Sequence, residues 1–496
     1  MQIYAKLAEQ FRSVEGPAVL RRAAASASVR GFFETGVAMD RLAAQAPSLA
    51  GGRAASVRTE LAELLKLSGP VVVARLGVMA MGLSDAVVVG RYSATQLGYH
   101  ALAWAPTSVV VTMGMGLLTG VQVMTARVIG EGRRDLTGAV LRRGLAYSLW
   151  IGAVSALVLL VGGPLFLHAI GLPGDLADGA SPVLRIFCLS LPGFTLSVAA
   201  ASWLEGLSKP GPAAWIMWIA NGLNLAVDLL LVPGAFGLPA LGAMGGAWAT
   251  TIARSFLAIA TLSYIALMPE ARALGVFAKP ARDRAAEAEQ RRIGFGAGAS
   301  NFFEVAAFAS LNIIAGWIGG LAVAAWTIVI NVAAIVFMVP LGLATGAAVR
   351  VGRAYGARDP AGVTRAAGVA FAVAALFGVL VMLGIWPSAS LVARGYTGSA
   401  ATLAMAVPAL ALSTLMYMPD ALQVVVAQSL RARGDVWLPS FTHLTSYFVV
   451  MMPLAWWLAI GMRLQVIGLT WAVVVASFVS GGLLLARFWL LTRRDR

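Results

Sequence analysis

A single cysteine in 496 residues, Cys188, excludes an internal disulfide and any cysteine-built metal site. Its place inside an apolar segment reads as a small core residue. Histidine is nearly as scarce: His100, His168 and His443 stand near the ends of three different apolar segments, without the spacing of a catalytic or metal-binding set. Charge is thin too, at 12% of residues against 59% hydrophobic ones, and 37 Lys and Arg outnumber 22 Asp and Glu. In a soluble chain a formal charge of +15 would point to nucleic acid. A mean hydropathy of +0.82 removes that class, so the bilayer is the expected partner and nucleic acid is not. The charged stretch, short apolar core and small-residue cleavage site of a signal peptide are missing, so the first spanning helix is expected to do the targeting.

What is present is a series of about twelve apolar runs of spanning length, at 68–90, 101–125, 141–167, 182–204, 212–232, 241–267, 295–318, 322–348, 366–386, 401–429, 437–460 and 465–490. The expected class is an all-α integral membrane protein. Residues 1–60 read as a cytoplasmic extension, in which Ile3, Leu7, Phe11 and Val14 form one helical stripe. Val57–Leu67 puts Leu61, Leu64 and Leu65 opposite its charges, and reads as a helix running along the interface into the first span. Lys and Arg collect in alternate loops: Arg127 to Arg143, Lys209, Arg272 to Arg292, Arg350 to Arg365, Arg431 and Arg433, and Arg493 to Arg496. By the positive-inside rule these loops and both termini face the cytoplasm, which for a Gram-negative cell means a multi-pass protein of the inner membrane.

The chain repeats itself. GLxTGxxVxxxRxxG occurs at Gly116–Gly130 and again at Gly342–Gly356, 226 residues later, each time closing a span at the basic face. A shorter echo, GxxWA, occurs at Gly245 and Gly468. Six spans separate the copies, so the halves share one orientation and are expected to form two six-helix lobes related by a pseudo-two-fold axis along the membrane normal. The expected division is an N-lobe over 61–268, a polar cytoplasmic linker over 269–292, a C-lobe over 293–490 and a cytoplasmic tail over 491–496.

Two like-oriented bundles are the architecture of alternating-access transport, so polar residues within the spans should say what is bound. A charge at membrane depth costs about 2.5 to 3.5 kcal/mol on insertion scales, and Asp85 lies near the far end of the run Pro70–Arg91. Such a carboxylate marks an ion or substrate site, or else pins two helices. Asn224 and Asp228 share a helical face, and Asp228 stands five residues before Pro233 as Asp85 does before Gly90, placing both at similar depth. In the second half, Asn301 and Glu304 share a face, and Asp420 precedes Gln423 by about one turn. Each lone Asn or Gln reads equally as an interhelical hydrogen bond. Met79 and Met81 before Asp85, and Met416, Tyr417 and Met418 before Asp420, read as cavity lining or as plain core.

The segments MGLSDAVVVGRYSATQLG, NLAVDLLLVPG, SNFFEVAAFA, INVAAIVFMVPLGLATGAAVRVG and YMPDALQVVVAQSLRARGD resemble, in order and spacing, the multidrug and toxic compound extrusion (MATE) family of cation-coupled antiporters. The resemblance covers residues 60–490. It implies a monomeric, non-enzymatic secondary transporter without a cofactor, exporting organic cations and other amphipathic drugs in exchange for protons or sodium ions. Asp85 matches the family's first-helix aspartate; Asn224, Asp228 and Thr250 match the rest of its N-lobe cation site; Glu304 and Asp420 match the acidic pair of the C-lobe. Asn301, Tyr417, Gln423, Met79 and Met81 then stand where substrate would be lined. Sodium-coupled members often carry tyrosine one turn before the tenth-helix aspartate, where this chain has Met416, with Tyr417 one place later. Arg75 also departs from the pattern, and lies near enough to the cytoplasmic end to snorkel. The alternative is a lipid-linked oligosaccharide flippase of related architecture, whose cavity would be basic rather than acidic.

Overall fold

The structure, a computed structural model, describes residues 57–169, 174–279 and 283–495. The extension expected over residues 1–60 therefore lies outside the described residues up to Ser56. Twelve helices of spanning length and apolarity follow among the described residues: α1 (Val57–Tyr92), α2 (Ala94–Gly130), α3 (Arg134–Ala169), α4 (Gly174–Gly206), α5 (Gly211–Leu231), α6 (Ala243–Leu267), α7 (Arg284–Ile318), α8 (Gly320–Gly356), α9 (Pro360–Tyr396), α10 (Ala400–Ala432), α11 (Trp437–Gly461) and α12 (Gln465–Arg494). Local chemistry sets several starts. Ser93, Asp283, Asp359 and Ser399 each accept a backbone N–H two or three residues into the helix they open, and Pro360 occupies a first-turn position where its missing N–H costs nothing.

Two boundaries differ from the sequence reading, both because charges find partners. Val57–Leu67 forms the first turns of α1, and its Glu60 is buried against Arg350, at 2.5 Å, and Arg365, at 3.6 Å. Leu64 packs with Leu343 and Ala344, so this stretch is held on α8 and α9 rather than laid along a lipid surface. The polar linker expected over 269–292 is shorter: α7 opens at Arg284, and Gln290 is already buried, with Nε2 donating to the Val140 carbonyl of α3.

Helices α1–α6 pack among themselves, as do α7–α12, and the seam is made by α2 on α7, α1 on α8, and α2 on α8. The first two pairings interchange under the pseudo-two-fold that the repeat implies. One apolar cluster, around Leu184, Phe187 and Leu191, draws only on α1–α6; another, around Trp326, Tyr447 and Leu469, draws only on α7–α12. The cluster around Val121, Trp203, Val351 and Leu430 draws on both halves and sits at the arginine-rich end. Among the described residues, the hydrogen bonds, ion pairs and ring contacts that cross the seam lie between that end and the bond from Asn301 Nδ2 to the Thr112 carbonyl, 3.1 Å. Among the described residues these links thus run from the basic end to about the middle of α2 and α7.

The repeated motif makes that junction. A Cβ on Gly130 would stand 2.1 Å from the Arg353 carbonyl oxygen, and one on Gly356 would stand 2.2 Å from that of Arg127, so only glycine lets α2 and α8 cross backbone to backbone. The motif arginines then reach into the opposite lobe. Arg127 donates to the Ala432 and Arg431 carbonyls at the end of α10, both at 3.0 Å, and to Glu289 at 3.1 Å. Arg353 donates to the Gly206 carbonyl at the end of α4, 3.2 Å. Each guanidinium satisfies carbonyls that a helix C-terminus leaves without an intrahelical donor.

In α10 the helix tightens into a 3-10 turn at Thr414–Met416. Pro419 lacks the N–H that would bond the carbonyl four residues earlier, and the turn lies immediately before Tyr417–Ala432, which carries Asp420. Helix α11 likewise passes through a π-helical stretch, Thr445–Met451, just before Pro453. Both irregular segments flank the C-lobe polar residues.

Candidate functional site

Two polar centres form, one in each lobe. In the N-lobe, α1 supplies Asp85, α5 supplies Asn224 and Asp228, and α6 supplies Thr250, whose Oγ1 donates to Asp85 Oδ2 at 2.5 Å. These side chains are at most 3% exposed. Asp85 Oδ1, Asn224 Oδ1 and both Asp228 oxygens are buried and accept no hydrogen bond from a protein donor, and the two carboxyl groups are electrostatic neighbours close enough to share a proton between them. Leaving one buried acceptor unpaired costs about 1 to 3 kcal/mol, more if it is charged. Four such acceptors stand together where the bilayer supplies no solvent.

Sequence reasoning missed two members of this centre. His100, on α2, is buried with Nδ1 unpartnered. Gly246 explains how it comes near: a Cβ there would lie 3.5 Å from His100 Nδ1 and 3.6 Å from Asp228 Oδ1, so the glycine keeps open the space they border. Arg254, one turn beyond Thr250 on α6, is 4% exposed and lines with Asp85 and Thr250 a cavity of about 20 Å³. The signal was present in both cases. His100 stands near a span end, and Arg254 lies mid-span, where the cost argument applied to Asp85 holds equally.

Below this centre, Arg75 turns inward. Its Nη1 meets Met115 Sδ at 3.2 Å, its Nη2 lies 4.0 Å from buried Glu205, and both charged groups line a second interior cavity of about 60 Å³. The snorkelling expected from its position gives way to this carboxylate. Met81 packs inside the N-lobe with Ala220, Ala253 and Leu257, and borders the cavity of Asp85. Met79 is half-buried on α1 and does not border that cavity.

In the C-lobe, Glu304 of α7 and Asp420 of α10 are half-buried and electrostatic neighbours, and Arg431 faces Glu304. Gln423 Nε2 donates to Asp420 Oδ1 at 2.6 Å and to the Tyr447 hydroxyl at 2.7 Å. Arg431 donates to Ser300 Oγ at 2.6 Å. Gln423, expected at a substrate surface, is instead fully buried as the link between Asp420 and Tyr447. Tyr417 is likewise packed in the C-lobe core, its hydroxyl 3.5 Å from Ser413 Oγ; a ring gains more from apolar burial than from a wet wall. Asn301 bridges the lobes through its bond to Thr112. Glu304→Gln with Asp420→Asn is expected to abolish the ion dependence contributed by this lobe at normal expression, checked by transport against pH and sodium; unchanged dependence would make the pair structural.

Comparison with known proteins agrees with the twelve-helix, two-lobe fold. The MatE family profile matches residues 70–230 and 297–457, once in each half. The chain is 58% identical over 440 residues to the probable multidrug resistance protein NorM of Caulobacter vibrioides, covering 89% of this chain and 93% of that one. In fold it is similar to the eukaryotic MATE transporter AtDTX14, with a TM-score of 0.80 at 17% identity over 89% of this chain and 99% of that one. It is similar also to an outward-facing multidrug resistance MATE family transporter of the MOP superfamily, with a TM-score of 0.81 at 18% identity over 88% and 96%. With the family profile spanning both halves and a close relative covering nine-tenths of its length, the chain belongs to the MATE family, as a multi-pass, non-enzymatic membrane transporter.

Proposed function

We propose that this transporter is a secondary antiporter that exports amphipathic, mostly cationic drugs in exchange for inward protons or sodium ions. The observation that carries the reading is the N-lobe centre, where four acceptor oxygens of Asp85, Asn224 and Asp228 are buried and accept no hydrogen bond from a protein donor. Such a centre favours an occupant that neutralises charge, and a cation entering it alters the helices that hold it. The C-lobe pair, Glu304 and Asp420, is a second place where a coupling ion acts. The moving bodies are the two halves, joined through the connection between Leu267 and Arg284, and the arginine-rich end with both termini faces the cytoplasm. In this arrangement the lobes are closed on the cytoplasmic side and the drug leaves outward. The unit is a monomer in the cell membrane, which for a Gram-negative cell is the inner membrane.

The driving force is sufficient. One elementary charge moving inward yields about 2.3 kcal/mol per 100 mV, so one proton exchanged for a neutral drug sustains roughly a fifty-fold gradient per 100 mV. A monovalent cationic drug traded for one proton draws on the pH gradient alone. A flippase for lipid-linked oligosaccharide would need a basic cradle for pyrophosphate. Here the buried arginines Arg254 and Arg431 each have an acidic neighbour, Asp85 and Glu304 respectively, which leaves no free basic surface between them. Drug uptake into everted vesicles, with proton and sodium gradients imposed separately, is expected to be uphill and to collapse with the driving gradient. Downhill flux only would make the protein a channel.

A further inference from the structure

Arg254 is a buried guanidinium in the middle of a span of the N-lobe. Its hydrogen-bond acceptor is a neutral hydroxyl, Ser190 Oγ, at 2.8 Å. Its guanidinium carbon stands 4.9 Å from the ring centroid of Phe194 and 5.3 Å from that of Trp104, so two aromatic side chains hold the charge in place. The nearest source of compensating charge is Asp85, which shares its cavity and interacts with it electrostatically. That cavity, about 20 Å³, has room for one small occupant.

We propose that Arg254 is a tethered counter-cation that keeps sodium out of the N-lobe centre, making it the residue that determines ion specificity there. The proposal rests on the reading of Asp85 as a coupling site. A guanidinium keeps its charge and is bound to the chain, so it cannot be displaced by an incoming ion. With both carboxylates ionised, Arg254 cancels one of the two negative charges of Asp85 and Asp228 and so halves the charge that would draw a sodium ion in. A sodium ion would have to enter a cavity walled by that guanidinium, in surroundings where like charges repel over several ångströms. The oxygens of Asp85 and Thr250 that border this cavity, which would otherwise suit a hard cation, are therefore set against a positive charge one helical turn from Thr250. In the C-lobe Arg431 also has a carboxylate neighbour, Glu304, and donates to Ser300 Oγ and Gln428 Oε1, but Glu304 and Asp420 there remain half-buried.

The test is radioactive sodium binding to the purified full-length protein, in a Glu304→Gln, Asp420→Asn background that isolates the N-lobe. Arg254→Gln is expected to tighten sodium binding at least tenfold over that parent, and adding Asp85→Asn is expected to remove the gain. Arg254→Lys, which keeps the charge, is expected to stay within threefold of the parent. Should Arg254→Gln not yield monodisperse protein, Arg254→Met retains the stem between Trp104 and Phe194 and carries the same expectation. An Arg254→Gln affinity within threefold of the parent would overturn the proposal. So would an equal gain in Arg254→Lys, because shape and not charge would then be responsible. The reading of Asp85 is tested separately: if Asp85→Asn in the otherwise wild-type protein leaves the ion dependence of transport unchanged, that reading falls and the counter-cation role falls with it, whereas failure of the Arg254 variants alone leaves Asp85 in place.

Discussion

Asp85→Asn is expected to abolish drug export, by at least tenfold in transport rate, while the protein folds and inserts normally. Asparagine has nearly the same shape, and its carbonyl can still accept from Thr250, whose hydroxyl reaches Asp85 Oδ2 at 2.5 Å. What is lost is the charge that an entering cation neutralises. Removing a buried, incompletely paired carboxylate relieves desolvation, so thermal stability is expected to hold or rise slightly. Linkage adds a sharper expectation: drug and coupling ion that weaken one another's binding must do so by the same factor, so a variant that cannot take the ion loses the pH or sodium dependence of drug affinity as well. Calorimetric drug titrations at several pH values and sodium concentrations check this. Wild-type ion dependence in Asp85→Asn would move the coupling to Glu304 and Asp420.

The parts of this centre that sequence revealed are those for which one residue carries the whole signal. Asp85, Asp228, Glu304 and Asp420 stand out because a carboxylate within an apolar span has few neutral explanations, and helical rise alone put Asp85 and Asp228 at one depth. The lobes were legible because GLxTGxxVxxxRxxG is long enough to exclude coincidence. What was not legible depends on direction rather than identity. Gln423 and Tyr417 carry polar atoms and lie beside Asp420 in sequence, yet the 3-10 turn at Thr414–Met416 and the packing of Tyr447 decide that both are interior. Arg75 was close enough to the membrane edge to reach water, and only the fold shows Glu205 on its other side. His100 escaped because a lone histidine near a span end is usually unremarkable; its relation to Asp228 passes through Gly246, which lies 146 positions away. The helical start at Val57 and the shortened linker follow from ion pairs between distant segments, which periodicity does not register.

Gly356→Val is expected to force the lobes apart at the arginine-rich end and to stop transport, and Gly130→Val to do the same. At each site the new side chain would begin 2.1 or 2.2 Å from a backbone carbonyl oxygen of the opposite lobe, and a helix backbone cannot rotate away as a side chain can. Overpacking of this kind costs about 1 to 3 kcal/mol. It also separates Arg127 from the carbonyls of Ala432 and Arg431, hydrogen bonds of a charged donor that contribute about 1.5 to 3 kcal/mol each. Since about 5.5 kcal/mol takes a two-state equilibrium from 1:99 to 99:1, these losses are large enough to reverse the balance between the arrangement described here and one opened at this end. Spin labels at positions 131 and 357, beside the crossing, are expected to report a longer distance in both glycine variants. The arginines give a graded comparison. Among the described residues Arg127 holds two carbonyls and Glu289, whereas Arg353 holds the Gly206 carbonyl alone, so Arg127→Gln is expected to open the junction further than Arg353→Gln despite their equivalent places in the repeat. Unchanged distances in the glycine variants would mean that the crossing does not hold the lobes together. Equal shifts in the two arginine variants would mean that the number of crossing bonds does not set the strength of the junction.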